Sequence, residues 1–351
     1  MRHPKSRWAS RLPFYYGWVV IAVAFATMAV AVTSRTVYSL LLPPLIAEFG
    51  WDRGLLSGAF SFGFAVSAVI SPLVGGLMDR FGPRAIIGAG VTLMSGGFLW
   101  ATVIAAPWQL YVTLGLLVGI GSNLMAYTAH ALFLPNWFVR RRALAMSIAF
   151  SGAGVGGLLL LPWMQSVILA DGWRAACTAL ALVTVLGIAP LTLLTRHRPQ
   201  DLGLAPDGGR EAAAGGAGRG ASNIVDAEWA AVDWTLGRAM RTRRFWWIVI
   251  GYFCALYAWY AVQIHQTKFL TEIGFAPITA AWALGTVSLI AIPGQIMLGA
   301  MSDRYGREWV WTIACAGFAV CYAALVALEQ FPSVPLLYLM IARPGLLGYA
   351  V

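Results

Sequence analysis

The run Gly75-Gly76-Leu77-Met78-Asp79-Arg80-Phe81-Gly82-Pro83-Arg84 lies between two long apolar stretches and recurs as Gly299-Ala300-Met301-Ser302-Asp303-Arg304-Tyr305-Gly306-Arg307-Glu308. The offset, 303 − 79 = 224 residues, also brings Phe49-Gly50-Trp51 onto Ile273-Gly274-Phe275 without a gap. A repeat at that range means two halves built on one plan: helix, short outer turn, helix, then an arginine-bearing glycine turn. Glycine permits the tight reversal. Asp79 and Asp303 are expected to face the positive N-terminal end of a neighbouring helix. Arg80, Arg84, Arg304 and Arg307 belong on the membrane side where lipid heads and cytosol favour positive charge.

Composition sets the class. Of 351 residues, 60% are hydrophobic and 11% charged, and mean hydropathy is +0.74. A soluble domain of this length carries more charge, so the chain reads as an all-α, multi-pass membrane protein. Ten apolar runs are long enough to span a bilayer, near 15–46, 54–77, 84–105, 108–134, 142–168, 174–195, 244–268, 277–300, 308–328 and 333–351. Net charge is +10 and pI about 9.8. No basic arm is interleaved with stacking aromatics, so this basicity reads as membrane orientation and not as nucleic-acid binding. About nineteen of the 24 Lys and Arg fall on the side of the N-terminus, against Arg53, Arg174 and Lys268 on the other. The N-terminus is therefore expected in the cytoplasm. The basic start, Arg2 to Arg11 and then Pro13, leads into a run too long for a signal peptide and reads as a retained first helix. Cys177, Cys254, Cys315 and Cys321 sit in apolar runs without metal-ligand spacing and read as small core hydrophobes; no metal or cofactor is expected.

Three regions follow: a six-helix bundle over 1–195, a cytoplasmic linker over 196–243, and four further spans over 244–351. The Gly/Ala tract 212–221 predicts a flexible linker. Beyond it Trp229, Val232, Leu236 and Met240 follow helical spacing with arginines between, predicting an amphipathic helix on the inner leaflet over 226–244. Gly115, Gly119 and Gly121, then Gly152, Gly154, Gly156 and Gly157 before Pro162, predict close helix approach.

The paired glycine turns resemble the signature loops of the major facilitator superfamily, which follow its second and eighth helices. That resemblance implies two six-helix bundles related by a pseudo-twofold axis along the membrane normal, the second incomplete in this chain, where about ten spanning helices are read. The eleventh and twelfth are missing, as in a fragment or a truncated gene. Tyr15-Tyr16-Gly17-Trp18, then Arg35, then Glu48-Phe49-Gly50-Trp51 is similar to the first helix of the monocarboxylate and oxalate/formate branch in bacteria, as are Pro199-Gln200-Asp201-Leu202-Gly203-Leu204 and Trp234-Thr235. That branch carries an arginine on helix 8; here Gln295 stands there, and Ala291 replaces an aspartate one turn earlier. A neutral amide donates hydrogen bonds but does not neutralise a second carboxylate, which weakens the match to dicarboxylates.

Arg35 is the sharpest candidate, because a guanidinium in an apolar run is expensive and clamps a carboxylate through two parallel hydrogen bonds. Tyr38, Asn123, Tyr127, Tyr257, Tyr260, Gln263 and Gln295 are the further candidate substrate contacts, with His265 at an outer gate. The gating turns are Gly75, Asp79, Arg80, Gly82 and Arg84 with Gly299, Asp303, Arg304, Gly306 and Arg307. Every Asp and Glu falls at a helix end or in a loop, leaving His130 as the candidate intramembrane proton site. No Walker loop or nucleophile–base pair appears, so no enzyme is expected. The reading is a secondary transporter of small organic anions, monocarboxylates foremost, in the bacterial inner membrane, with a proton or counter-anion as coupling partner. Two alternatives stand: an exporter of drugs or hydrophobic solutes with the same fold, and a truncated protein that transports nothing.

Overall fold

The computed structural model describes residues 13–208, 227–275, 277–331, 333 and 335–340; the side chains at 227, 230, 259–268, 271, 277–285, 287 and 288 lie outside that description. All regular structure among the described residues is helical, in two compact units divided between Gly209 and Arg210.

The first unit holds α1 (Gly17–Phe49), α2 (Arg53–Ala101), α3 (Pro107–Asn136) and α4 (Arg142–Thr192), each apolar and long enough to cross a membrane. An unbroken α2 would be about 70 Å long, twice a bilayer core. It is instead two limbs joined at Gly82, whose φ of 75° and ψ of 166° only glycine adopts without strain. Pro83 then opens the second limb, where its missing N–H is no loss. Gly172 breaks α4 in the same way at φ 86° and ψ 171°. Six spans therefore come from four helices, at the places the apolar runs predict.

Small residues make the crossings. A Cβ at Gly152 or Gly156 of α4 would overlap the Phe25 and Ala29 carbonyls of α1. At the α2–α3 crossing Gly63 faces Gly115 and Gly119, and Gly90 faces Gly121. Dispersion between close backbones holds such crossings where lipid removes the hydrophobic drive. Met28, Leu41, Leu56, Met78, Ile87, Met94 and Phe98 fill the space between them, fully buried.

Both ends of this unit are tied. On the side of the N-terminus, the Tyr15 hydroxyl donates to the Trp137 carbonyl at 2.9 Å and Tyr16 to the Leu194 carbonyl at 2.7 Å. Burial, then the Asp207 charge, holds the Tyr15 hydroxyl above its ordinary pKa range, so it stays a donor. The Asp207 carboxylate accepts the Val139 and Arg140 N–H groups at 3.1 and 2.9 Å. Residues 196–208, read from sequence as the start of the linker, are thus folded onto the first unit, with Leu202 in its core. At the other end Arg174 pairs with Glu48 at 2.6 Å and donates to the Thr102 carbonyl at 3.0 Å, while the Trp173 indole donates to Glu48 at 2.7 Å.

The second unit holds α5 (Ala227–Ala231), α6 (Leu236–Met240), α7 (Arg243–Glu272), α8 (Pro277–Tyr305) and α9 (Arg307–Gln330). Gly306 separates α8 from α9 at φ 97° and ψ 153°, close to its counterpart Gly82. Leu270, Cys321, Ala324, Leu328, Leu337 and Met340 form its buried core. The tenth apolar run is described only over 335–340.

Two expectations need correction. The single amphipathic helix over 226–244 is two one-turn helices. The first ends at Ala231; Thr235 is extended, at φ −104° and ψ 157°, and its side chain caps the Arg238 N–H, which starts the second. Only Cys177 and Cys321 are core residues; Cys254 and Cys315 are exposed on their helices.

Candidate functional site

Arg35 reaches from α1 across to α2 and α3. Its Nε donates to Ser122 Oγ at 2.6 Å, and Nη2 donates to Ser67 Oγ at 2.7 Å and to the Gly119 carbonyl at 3.2 Å. Both serine hydroxyls also donate to the Gly119 carbonyl, each at 3.1 Å. Each hydroxyl therefore accepts from the cation and donates to the Gly119 carbonyl. The Phe64 ring lies 5.3 Å from the guanidinium carbon, within cation–π range. Glycines at 63, 115 and 119 bring the two backbones close enough for this contact.

Beside the guanidinium is a cavity of about 20 Å³, lined by Ser34, Arg35, Tyr38, Phe60, Phe64 and Phe98 among others. Tyr38 is buried; its hydroxyl donates to the Leu56 carbonyl at 2.5 Å and its ring stacks on Phe60 at 5.2 Å. Arg35 and Tyr38 are thus brought together, one turn apart on α1.

The other candidates divide. Asn123 is buried and braces the same crossing from below: its amide donates to the Ser67 carbonyl at 2.8 Å and to Ser71 Oγ at 2.9 Å. Tyr127 does not line the cavity; it is exposed, edge-on to Phe150 at 5.0 Å. His130 is fully buried away from the cavity, with Nδ1 3.0 Å from the Ala126 carbonyl and Nε2 without a hydrogen-bond partner among the described residues. In the second unit Gln295 is half-buried and Tyr257 exposed. The side chains of Tyr260, Gln263 and His265 lie outside the described residues.

The turn residues behave as a matched pair. Arg80 sits over Phe81 at 5.2 Å, and Arg304 over Tyr305 at 5.5 Å. Gly75 is half-buried and Gly299 buried, while Arg84 and Arg307 are exposed just beyond the breaks at Gly82 and Gly306. Asp79 and Asp303 are both exposed. Asp79 makes no hydrogen bond or ion pair among the described residues.

Sequence reasoning missed Ser67, Ser71 and Ser122. A hydroxyl is cheap inside a helix, where it bonds back to its own turn, so a serine in an apolar run raises no alarm. Ser67 and Ser71 one turn apart, beside an apolar Gly63, were the available signal.

The profile of the Major Facilitator Superfamily matches residues 23–351. Monocarboxylate transporter 13 of Bos taurus is 27% identical over 288 residues, covering 82% of this chain and 62% of that protein. Monocarboxylate transporter 11 of Homo sapiens is 34% identical over 172 residues, 48% of this chain and 36% of that one. The chain spans about three fifths or less of the length of these curated relatives. Among solved structures, the proton:xylose symporter XylE matches over 95% of this chain and 80% of its own, with TM-score 0.70 and 15% identity. The E. coli fucose:proton symporter FucP matches over 95% and 84%, with TM-score 0.58 and 18% identity. Likeness at those identities shows the fold alone. With the repeated glycine breaks, the helix-only architecture and a profile match running from the first helix to the last residue, the chain belongs to the Major Facilitator Superfamily.

Proposed function

We propose that this chain serves secondary transport of small organic anions, monocarboxylates foremost, by alternating access across the bacterial inner membrane, with its N-terminus in the cytoplasm. The observation that carries the reading is the guanidinium of Arg35, half-buried at the wall of a cavity and bonded there to Ser67, Ser122 and the Gly119 carbonyl. Two hydroxyls and a carbonyl offset part of its desolvation, and a bound carboxylate adds the opposite charge. A carboxylate is a stronger acceptor than a hydroxyl, so an incoming acid displaces Ser67 or Ser122 and gains the bidentate pair. The cavity beside Arg35 holds about one water, so that exchange requires the aromatic wall of Phe60 and Phe64 to move. Names of the relatives, monocarboxylate transporters in two mammals, point to the same substrate class.

Within this reading Tyr38 shapes the cavity, Asn123 holds its floor, and Tyr127, Tyr257, Tyr260, Gln263 and Gln295 are secondary contacts. The turns at Asp79 and Asp303 gate the cytoplasmic side. His130 carries the coupling proton, if the exchange is proton-linked and not anion for anion.

The test is uptake of a panel of labelled carboxylates by proteoliposomes holding the chain, with Arg35→Lys and Arg35→Gln beside it. Arg35→Lys keeps the charge and loses the fork, so binding weakens partly; Arg35→Gln weakens it strongly. Undiminished carboxylate affinity in Arg35→Gln, with expression and melting unchanged, overturns the assignment in favour of an exporter of drugs or other hydrophobic solutes.

A further inference from the structure

Between Ala227 and Trp247 the chain builds a compact knot of tryptophan and arginine that the transport site does not use. The Trp229 and Trp234 rings are 4.3 Å apart, and the Trp234 indole donates to the Trp229 carbonyl at 3.0 Å. Arg244 lies over the Trp229 ring at 4.5 Å. Arg238 reaches back to the Asp233 carbonyl at 3.2 Å, and the Trp246 indole donates to the Met240 carbonyl at 2.8 Å. These bonds fold α5, α6 and the head of α7 into one local unit.

What this unit presents outward is unusual for a water-facing surface. Val232, Trp234, Leu236, Met240, Trp246 and Trp247 are all exposed, Trp247 by 73%. Four arginines, Arg238, Arg241, Arg243 and Arg244, stand among them against two acids, Glu228 and Asp233. Arg241 and Arg243 are exposed and make no hydrogen bond or ion pair among the described residues. Only Arg241 and Thr242 separate α6 from α7, whose 30 residues run about 45 Å, enough to cross a bilayer. With the apolar run 244–268 read as a membrane span, the knot sits at the level where that helix leaves the lipid. Indoles partition to that level, and guanidinium forks pair with phosphate there.

We propose that this surface is a binding site for anionic phospholipid headgroups, with the indoles inserted among the acyl-chain ends and Arg241 and Arg243 on the phosphates. The occupant is a lipid because exposed apolar and cationic groups are interleaved within 232–247, at the head of a long apolar helix. Anionic lipid is preferred because the face carries a cation excess, and each arginine near such a surface contributes a factor of about five. The site is independent of which solute the protein carries.

The experiment is amide hydrogen exchange of the whole chain in nanodiscs of phosphatidylcholine alone or doped with phosphatidylglycerol, read on peptides covering 229–242 with α9 as internal reference. Exchange in the knot is expected to slow at least about fivefold with the anionic lipid, to recover in high salt, and to lose its lipid dependence in Arg241→Gln/Arg243→Gln. Equal rates of the unsubstituted chain in both nanodiscs overturn the proposal, as plain interfacial insertion or a protein partner would give them. Lipid-dependent slowing that persists in the double variant overturns it too. The comparison between lipids needs no variant, so a folding defect in the variant leaves the test intact.

Discussion

The two repeats agree at their turns and part company inside the membrane. Gly82 and Gly306 adopt nearly the same backbone, and each is preceded by an arginine stacked on an aromatic ring. The same offset of 224 carries Ser67 to Ala291 and Ser71 to Gln295, and Arg35 to Trp259. The polar cluster around Arg35 thus has no copy with the same chemistry. A turn is set by steric rules within a few residues, so both repeats keep it. A cation inside the bundle needs partners from neighbouring helices, and Arg35 finds them on α2 and α3. On the proposed reading, the duplicated part builds the scaffold and the unduplicated part carries selectivity.

The largest expected effect tests that asymmetry. Arg35→Gln is expected to weaken carboxylate binding about tenfold to a hundredfold, the range of charge-assisted hydrogen bonds, and Gln295→Ala about tenfold at most, as for a neutral donor. Equal losses, measured as substrate affinity in proteoliposomes, break the comparison. Next come the turns, where the repeats should respond alike. Gly82→Ala and Gly306→Ala force a Cβ into a region open to glycine alone, and each is expected to cost about 1–3 kcal/mol in thermal or denaturant melting. A loss confined to one turn would show that the second break is not built as the first is. Asn123→Ala sharpens the picture of the first repeat. It removes two buried donor bonds and should destabilise by about 1–2 kcal/mol while substrate affinity in the folded fraction changes little. A loss of affinity at unchanged melting temperature would move Asn123 from the scaffold into the site. Smallest is Glu48→Gln at the outer end. The pair with Arg174 is largely exposed, so a slight fall in melting temperature is expected, absent at high salt.

Much of this is legible in the sequence. The spans at 54–77 and 84–105 follow from apolar length, and their division at Gly82 from a glycine turn repeated at Gly306. Arg35 stood out because its cost in an apolar run is a property of composition. The helix over 226–244 was misread because heptad-like spacing of Trp229, Val232, Leu236 and Met240 says nothing of Thr235, whose hydroxyl competes for the Arg238 amide and starts the chain afresh. The 196–208 segment was misread because Asp207 finds its amide partners 67 and 68 residues away.

By itself, the sequence determined how many times the described chain can cross a membrane, where it reverses, and which residue is too costly to leave facing lipid. Those are local quantities: length of an apolar run, a positive φ, a charge without a nearby acid. Only the tertiary structure decided what Arg35 holds. Its partners lie 32, 84 and 87 residues away on two other helices, and the glycines that let those helices meet had to be placed against each other in space. Periodicity along a chain says which face is apolar; it does not say which carbonyl and which hydroxyls will stand opposite when the helices cross.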